Sequence, residues 1–409
     1  MANKKRNTRS TKALRMLLTS AVALGLVCFV GLAAQAQTLE TILSFNGQQD
    51  GAYSSAGLTH DAGGNLYGTT QAGGIFNFNG GTVFRINRVG QETVLHSFCA
   101  ETNCADGSTP YGGVILDSAG NLYGATSAGG SLGFGAVFKI DSTGNETVLY
   151  SFKGLASGDG ASPAYGNLVR DAAGNLYGVT LNGGLTCSYS TAGCGIVYKI
   201  DPAGNETILH TFTGGSDGAL PPADLIAGSG GDFFGTTFRG GPAGCGVVYK
   251  IGPTGTFTVP YDFNCEFGWG PNAGLVRDSS GNLFGTTAFG GTWSRGSVFK
   301  LSRATGAAID LHDFLGGTVD GCAPGPGNLT LDAAGNIYGT TPDCGASGYG
   351  IIFKLDPAGN ETILYNFAAN TNGGIPQTTL LIDGAGNLWG TSYFINGFGC
   401  CGTVFKLTP

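Results

Sequence analysis

The chain has 409 residues, of which 75 are Gly and only 11% are charged, and its formal net charge is −7. An aromatic content of 11% excludes a disordered Gly-rich chain, which would lack so many Phe and Tyr residues. The acidic balance argues against nucleic acid and anionic membranes as partners. We therefore expect the glycines in turns and in closely packed strands.

The first 36 residues are typical of a secretory signal peptide. A basic segment, Lys4–Arg15, precedes an apolar run at 16–32, and Ala34–Ala36 forms an A-x-A cleavage site. The run is longer than usual, so retention as an N-terminal anchor stays open as an alternative. Cleavage removes six bases and leaves 14 against 27 acids, a formal charge of −13. We expect export to the periplasm, the cell surface or the medium, and no membrane span after cleavage.

Internal repetition organises residues 37–409, which we interpret as a single domain. Each copy holds four short apolar runs, called A to D in chain order, with turn signals between them. Run B contains the pattern Asn-Leu-Tyr-Gly, and its first position recurs about every 54 residues. That position is occupied by Asn65, Asn121, Asn175, Asp232, Asn282, Asn336 and Asn387. Four strands in each of seven repeats predict an all-β fold, a seven-bladed β-propeller with four-stranded antiparallel blades.

The phase of the repeat predicts how the ring closes. The domain begins with a D run at 40–45 and ends with a C run at 402–407. We therefore predict that the N-terminal strand pairs in the last blade as its outer strand, which hides a sheet edge. The A–B and C–D turns are short, whereas the D–A and B–C connections are long. One face of the propeller is consequently rich in loops, and we expect binding there.

The repeat contains Asp-x-x-Gly-Asn-Leu-Tyr-Gly-Thr-Thr around run B, followed by Gly-Thr-Val-Phe-Lys-Ile and Asn-Glu-Thr-Val-Leu. In these residues it resembles the repeat of the choice-of-anchor tandem-repeat (GloVer) proteins of bacteria. The resemblance covers 39–409, although the fourth copy and parts of the fifth depart from the pattern. It implies an exported repeat protein of unassigned activity, with no catalytic motif to transfer. Many members carry a C-terminal sorting segment, and we expect none in this chain because it stops inside its last repeat.

Ten of the 11 cysteines follow the signal segment, and an even number in an exported chain favours disulfides. Thiolate metal binding is the less favoured alternative, since no C-x-x-C spacing and no accompanying His occur. We therefore assign no metal site. The loop positions suggest five pairs, which are Cys99 with Cys104, Cys187 with Cys194, Cys245 with Cys265, Cys322 with Cys344, and Cys400 with Cys401.

An Asp-Gly pair recurs in the D–A loops. One interpretation is a ring of carboxylates that attracts Ca²⁺, the single cofactor we consider, or a cationic ligand. The alternative, which we favour, is an Asp that caps a tight turn whose next residue must be Gly. The acids are Asp50, Asp106, Asp159, Asp217 and Asp320.

The fifth D–A loop breaks the repeat, and a unique site is expected where a repeat fails. It carries Glu266, Phe267 and Trp269, and the following B–C loop carries Trp293 and Arg295. An acid, an Arg and aromatic rings are groups that hold a sugar or another polar ring. Ordinary drift of the loop sequence is the alternative interpretation.

Two strand D features are interpreted as structural. His96, His210 and His312 share one position with Tyr residues of other copies, which indicates a half-exposed outer strand and not a set of metal ligands. Glu residues often open strand D, and we expect them to pair across the hairpin with the strand C bases.

Two hypotheses for function follow. The first is a monomeric, non-enzymatic binding or scaffold module whose loop-rich face takes an unknown protein or glycan. The second is a lyase or glycan-active hydrolase with an acidic site on that face. The sequence assigns no catalytic residue. An enzyme needs a few unique, convergent polar side chains, and only the region from Glu266 to Arg295 offers any.

Overall fold

The computed structural model describes residues 37–76, 79–163, 165–266, 268–368, 373–394 and 401–409. In this part of the chain, seven antiparallel sheets each contain strands in the spatial order A to D. The protein is an all-β, seven-bladed propeller, as the repeat predicted. Among the described residues, no helix has the length and apolar character that a membrane crossing requires.

The blades are numbered in chain order, and strand A is the shortest strand of each. Strand A spans Thr59–His60, Ile115–Leu116, Val169–Arg170, Ile226–Ala227, Val276–Arg277, Thr330–Leu331 and Leu381–Ile382. Strand B spans Leu66–Thr70, Leu122–Thr126, Leu176–Gly183, Phe233–Thr237, Leu283–Thr287, Ile337–Thr341 and Leu388–Ser392. Strand C spans Thr82–Ile86, Ala136–Ile140, Ile196–Ile200, Val247–Ile251, Ser297–Leu301, Ile351–Leu355 and Thr403–Thr408. Strand D spans Glu92–Ser97, Glu146–Ser151, Glu206–Thr211, Phe257–Asp262, Ala308–Asp313, Glu361–Asn366 and Thr38–Ser44.

Short accessory elements lie in the long loops. Strand Gly160–Pro163 adds to the sheet of blade three, and Gly321–Cys322 pairs with Asp343–Cys344. Short 3₁₀ turns occupy Thr102–Cys104, Leu155–Ser157 and Ser229–Gly231. All of these additions except Ser229–Gly231, which forms the A–B turn of blade four, lie in the long D–A and B–C connections.

The first and last strands of the domain belong to the same blade. Thr38–Ser44 pairs antiparallel with Thr403–Thr408, with Leu39 opposite Leu407 and a bulge between Thr41 and Leu43. Strand D of blade seven therefore comes from the N-terminal end of the domain. Its hydrogen bonds hold the two ends of the described domain together.

The core lies in the seams between blades. The Phe that ends strand D of one blade packs edge-on against the central aromatic ring of strand C in the next blade. Such edge-to-face pairs add roughly 0.5–1.5 kcal/mol beyond area burial. The seven pairs have centroids 5.0–5.4 Å apart and are Phe45–Phe84, Phe98–Phe138, Phe152–Tyr198, Phe212–Tyr249, Phe263–Phe299, Phe314–Phe353 and Phe367–Phe405. The ring is thus closed by one repeated aromatic contact.

The glycine in strand B is required by the same aromatic ring. A Cβ on Gly68 would lie 2.6 Å from the Phe84 ring and 2.9 Å from Leu58, and the other blades show the same crowding. The backbone there is extended, so the Gly provides space and not an unusual φ angle.

The A–B turns explain the recurring Asp, Asn and Tyr. In blade three, Asp171 accepts hydrogen bonds from the backbone N–H and side-chain amide of Asn175, and from the hydroxyl of Tyr177 at 3.1 Å. Burial would raise the pKa of Asp171, but these hydrogen bonds outweigh it and the pKa is lowered. The motif therefore stabilises the turn on the face opposite the long loops.

The expected pairing between strand C bases and strand D glutamates is not what the structure shows. Lys139, Lys300 and Lys354 lie over the strand B aromatic rings, 5.5–5.9 Å from the centroids. The glutamates face the outer seams between blades, where the nearest charges are carboxylates: Asp50 lies near Glu92, and Asp106 near Glu146.

Candidate functional site at the channel mouth

Each D–A loop runs from the outer rim of the loop-rich face to the centre, and in all seven a left-handed residue recurs two positions after the Gly of the Asp-Gly pair or its equivalent. These residues have φ between 47° and 64°, and they are Tyr53, Thr109, Ser162, Leu220, Gly270, Ala323 and Ile375. The backbone N–H of each donates to the carbonyl two residues before strand C of the preceding blade. Only one of the seven is Gly, so the inter-blade hydrogen bond maintains a conformation that costs an L-residue about 1–2 kcal/mol.

The Asp-Gly acids cap the outer part of these loops. Asp106 accepts from the backbone N–H of Ala100, Asp159 from Lys153, and Asp320 from Leu315, at 2.7–3.0 Å. The remaining two behave in the same way, Asp50 with Asn46 and Asp217 with Thr213. Their carboxylates face the seams between outer strands and do not converge on the channel. This geometry corresponds to the turn-capping interpretation of the acids.

The Gly that follows each Asp packs against strand B. A Cβ on Gly51, whose φ is +107°, would lie 2.6 Å from the Thr70 methyl group. The next residue, Ala52, bridges to Ala72 in the B–C loop. The Asp-Gly pair therefore leads to a contact between the D–A loop that enters blade one and the B–C loop of that blade.

The residues just before strand A surround the propeller axis. Asn328 of blade six donates from Nδ2 to Asp224 Oδ1 of blade four at 2.7 Å, and it accepts from the backbone N–H of Gly274 at 2.6 Å. Blades four and six are not neighbours, so their side chains can meet only near the axis. They line a narrow cavity of about 20 Å³, together with Asn167 and Thr379. That volume holds one or two water molecules.

Asp224 is the unusual residue of this set. The equivalent positions are Gly57, Gly113, Asn167, Gly274, Asn328 and Thr379. Burial raises the pKa of Asp224, against the hydrogen bonds from Asn328 and from the Asn167 backbone. Asp224 is half-buried and lines the cavity. The sequence analysis missed Asp224, although aligning the residue before strand A in the seven copies would have found it.

Four tyrosines lie above this polar floor. Tyr111 and Tyr165 line the axial cavity and pack edge-on, with centroids 4.9 Å apart. Tyr53 stacks on Tyr393 at 4.8 Å, and Phe394 contacts Tyr53 edge-on. Burial raises the pKa of Tyr393, and so do the nearby hydroxyls of Tyr111, Tyr53 and Tyr165. We call the two ring pairs, Tyr111 with Tyr165 and Tyr53 with Tyr393, the tyrosine crescent.

A second, open cavity adjoins the crescent. It has a volume of about 170 Å³ and is lined by Tyr111, Tyr165, Ser127, Ser162 and Asn182, among others. Tyr111 and Tyr165 separate it from the axial cavity, since both rings line both spaces. The size is below the roughly 300–1,000 Å³ of sites for drug-sized ligands, and it suits a single small ring. Tyr111 and Tyr165 share one position of the repeat, two residues before Gly113 and Asn167, whereas Tyr53 and Tyr393 lie at other positions. The remaining copies have no Tyr at the shared position, so no seven-fold signal marked the set.

The structure does not bring together the residues of the fifth D–A loop and the following B–C loop that the sequence suggested as a binding site. Trp269 stacks on Phe289 at 4.3 Å, and the Arg239 guanidinium lies 4.6 Å above its ring. Arg295 instead extends towards blade six, where its Nη1 lies 3.6 Å from Cys344 Sγ. Among the described residues, no hydrogen bond, ion pair or ring contact joins Glu266, Trp293 and Arg295, which are all exposed.

Phe267 lies outside the described residues. The sequence analysis missed two neighbours of Trp269, which are Arg239 and Phe289.

Disulfides in the structure join Cys99 to Cys104, Cys187 to Cys194, Cys245 to Cys265 and Cys322 to Cys344. These are the pairings suggested from the loop positions. Cys401 is also disulfide-bonded, whereas Cys400 lies outside the described residues, so the vicinal pair stays a prediction. All these bonds lie in the long loops that surround the channel mouth.

A larger cleft, of about 810 Å³, lies at the seam between blades seven and one. Two of its three acids already serve the A–B turns, because Asp61 binds Asn65 and Tyr67, and Asp383 binds Trp389. The third acid, Glu40, lies on strand D of blade seven opposite Lys406. The channel mouth has polar groups that occur once.

The repeat itself matches a known family. The chain matches the Gloeobacter/Verrucomicrobia repeat over 25–190 and 184–405, which covers most of its length. The chain belongs to this family. No curated protein matches the chain.

Solved structures resemble this Gloeobacter/Verrucomicrobia repeat protein in fold. A fungal alcohol oxidase of the AA5 family, in complex with copper, matches with a TM-score of 0.53 and 16% identity, over 91% of this chain and 76% of that one. A candidate 6-phosphogluconolactonase from Bacteroides fragilis matches with a TM-score of 0.48 and 16% identity, covering 88% of each chain. A gluconolactonase from Xanthomonas campestris matches with 0.40 and 14%, over 91% and 89%. At these identities the likeness shows the propeller fold alone.

Proposed function

We propose that this protein is an exported, non-enzymatic binding module that takes a polyhydroxylated ring, such as a sugar unit of a glycan, at the channel mouth. The observation that carries the proposal is the tyrosine crescent above the polar floor of Asp224, Asn167 and Asn328. Aromatic faces stack on the apolar C–H face of a sugar, while hydroxyl, carboxylate and amide groups bond its hydroxyls.

Several features support an exported protein. Four described disulfides fit an oxidising compartment, and the N-terminal segment has the composition of a signal peptide. A rigid ring of blades, joined by inter-blade hydrogen bonds and aromatic pairs, positions the loops at the mouth. Such preorganisation lowers the entropy lost on binding.

Binding is favoured over hydrolysis by the number of carboxylates. Glycoside hydrolysis needs two carboxyl groups roughly 5–9.5 Å apart. Asp224 is the only acidic side chain among the described residues that line the axial cavity. Glu266, the acid that the enzyme hypothesis would use, is exposed and lies in the fifth D–A loop.

Glycan-array binding followed by calorimetry with the best oligosaccharide tests the proposal. Tyr111→Ala and Tyr165→Ala should each weaken binding by about 10-fold or more, since a stacked ring supplies more than 1.4 kcal/mol. Trp293→Ala is the matched control, because Trp293 is an exposed aromatic residue on the same face but outside the crescent. It should bind as the unchanged protein does.

Two results would contradict the proposal. Full glycan affinity in the Tyr111 and Tyr165 variants would place the site elsewhere, and absence of any glycan binding would reject the ligand class. Turnover of a bound glycan that disappears in Asp224→Asn would replace the binding module with the enzyme hypothesis.

A further inference from the structure

The seams between outer strands contain a recurring trio of polar positions. The first is the His or Tyr of strand D, the second is the Asp of the next D–A loop, and the third is the first residue of strand D in the next blade. Where the first residue is Tyr150, its hydroxyl lies 2.8 Å from a carboxylate oxygen of Asp159 and 2.8 Å from one of Glu206. The hydroxyl therefore bridges the two acids and completes the trio.

A second kind of seam has His but no Glu. His210 Nε2 lies 3.0 Å from Asp217 Oδ2, within hydrogen-bond distance. The third position is Phe257, which stacks on the imidazole with centroids 3.8 Å apart. This trio is completed by one hydrogen bond and an aromatic contact.

The seam between blades five and six has both His and Glu, and it is not completed. His312 Nε2 lies 3.4 Å from Asp320 Oδ2 and 3.8 Å from Glu361 Oε1. Among the described residues, neither His312 Nε2 nor Glu361 Oε1 has a hydrogen-bond partner, although both atoms are buried. The Asp320 side chain is 2% exposed, and those of His312 and Glu361 are 15% exposed. Burying polar atoms without partners is unfavourable, so a ligand that binds both atoms would stabilise the seam.

The donor set and its spacing match a divalent metal ion. One ligand atom from each residue lies within 4.8 Å of the other two. Imidazole nitrogen and carboxylate oxygen bind Zn²⁺ at about 2.0–2.2 Å, so neighbouring ligands of a tetrahedral ion lie roughly 3.3–3.6 Å apart. The His312–Asp320 distance already has this value, and the His312–Glu361 distance of 3.8 Å exceeds it only slightly. The exposed edges of His312 and Glu361 leave the fourth position open to water.

We propose that His312, Asp320 and Glu361 form a Zn²⁺ site that joins blade five to blade six. His312 and Asp320 come from strand D of blade five and the loop after it, whereas Glu361 comes from strand D of blade six. An ion bound to all three cross-links the two blades. The sequence analysis assigned no metal site, because the interchange of His and Tyr suggested a structural position.

Asp320 is held in place before an ion binds. Its oxygens accept hydrogen bonds from the backbone N–H groups of Leu315 and Gly321. The Cys322–Cys344 disulfide starts two residues later and fixes the same loop to blade six. Such supporting contacts orient a ligand and strengthen metal binding.

Zinc titration of the tag-free, chelator-treated protein tests the site by calorimetry and thermal unfolding. We expect one equivalent of Zn²⁺ to bind and to raise the melting temperature. His312→Tyr should reduce the affinity more than roughly 100-fold, because it removes a ligand. This variant recreates the Tyr150 seam of the same chain, so it should fold and keep its metal-free stability.

His96→Tyr is the matched control. The trio of His96, Asp106 and Glu146 lies between blades one and two, and among the described residues it does not bring three ligand atoms within 4.8 Å of one another. We expect His96→Tyr to retain the zinc site, and Glu361→Gln to weaken it. Failure of the unchanged protein to bind Zn²⁺, or equal zinc affinity and equal stabilisation in His312→Tyr, would overturn the proposal.

Discussion

Asp224 and Asn328, 104 positions apart in the chain, are joined at the propeller axis by a hydrogen bond of 2.7 Å from Asn328 Nδ2 to Asp224 Oδ1. The bond connects blades that are not neighbours in the ring. The acceptor of this bond is the Asp224 carboxyl group. Its pKa is raised, since the effect of burial outweighs that of the hydrogen bonds that Asp224 accepts.

Replacing Asp224 should alter stability in a pH-dependent way. A carboxyl whose pKa is raised in the folded protein binds more protons there than in the unfolded chain, so its contribution to stability falls as the pH rises above about 4. Asp224→Asn, which keeps the shape, should therefore be at least as stable as the unchanged protein at pH 8. Asp224→Ala should be less stable by about 1–3 kcal/mol, because the Asn328 amide loses its acceptor.

Urea denaturation at pH 5 and pH 8 measures both variants. An Asp224→Asn protein that loses stability specifically at pH 8 would show that the carboxylate form is the favoured one. The axial cavity would then have a different electrostatic character from the one described above.

We expect the glutamates at the start of strand D to make the protein less stable as the pH approaches neutrality. Burial, followed by the nearby Asp50 charge, raises the pKa of Glu92 to about 7. The folded state therefore holds the proton between about 4.5 and 7, and the free energy of unfolding should decrease as the pH rises through that window. Glu92→Gln should remove about 1 kcal/mol of this decrease, a value reduced for partial solvent screening.

Denaturation profiles from pH 4 to pH 8 provide the measurement. Glu266→Gln is the control, because Glu266 is exposed in a loop and should leave the profile unchanged. A Glu92→Gln profile that follows the unchanged protein would reject the buried neutral carboxyl.

Closure of the ring should depend on the N-terminal strand. Phe45, only 3% exposed, packs edge-on against Phe84 of blade one and ends the strand that pairs with Thr403–Thr408. Phe45→Ala should cost about 3–5 kcal/mol, and deletion of 37–46 should lower the melting temperature sharply. Val89→Ala, at a position 85% exposed, should change stability by less than 0.5 kcal/mol. An unchanged melting curve after the deletion would refute closure by this strand.

The left-handed residues of the D–A loops offer a matched pair of substitutions. Ala323, with φ of 47°, should tolerate Gly with a gain of up to about 1 kcal/mol. The reverse change at the equivalent Gly270, with φ of 64°, should cost about 1–2 kcal/mol, since a Cβ there would also lie 2.9 Å from the Phe238 ring. Thermal unfolding compares the two, and equal effects of the same sign would exclude left-handed strain as the cause.

Much of the fold could be predicted because the same local contacts recur in each of the seven repeats. The Asp171, Asn175 and Tyr177 pattern forms the A–B turn as a local hydrogen-bonded unit. The sequence showed where the strand B glycines lie. It did not show that the Phe84 ring and its equivalents exclude a Cβ there, because that ring belongs to the neighbouring strand. The partners of the strand D glutamates were also misassigned, because strand pairing does not specify which blade a side chain faces.

The sequence by itself determined the repeat, the propeller and the loops in which the cysteines lie, because turns, alternating strands and cysteine spacing are local properties of the chain. Only the tertiary structure decided which side chains meet at the axis and in the seams. Asp224 approaches Asn328, and His312 approaches Glu361, because closure of the ring brings together residues from different blades. Tyr53 and Tyr393 meet for the same reason, although 340 positions separate them in the numbering.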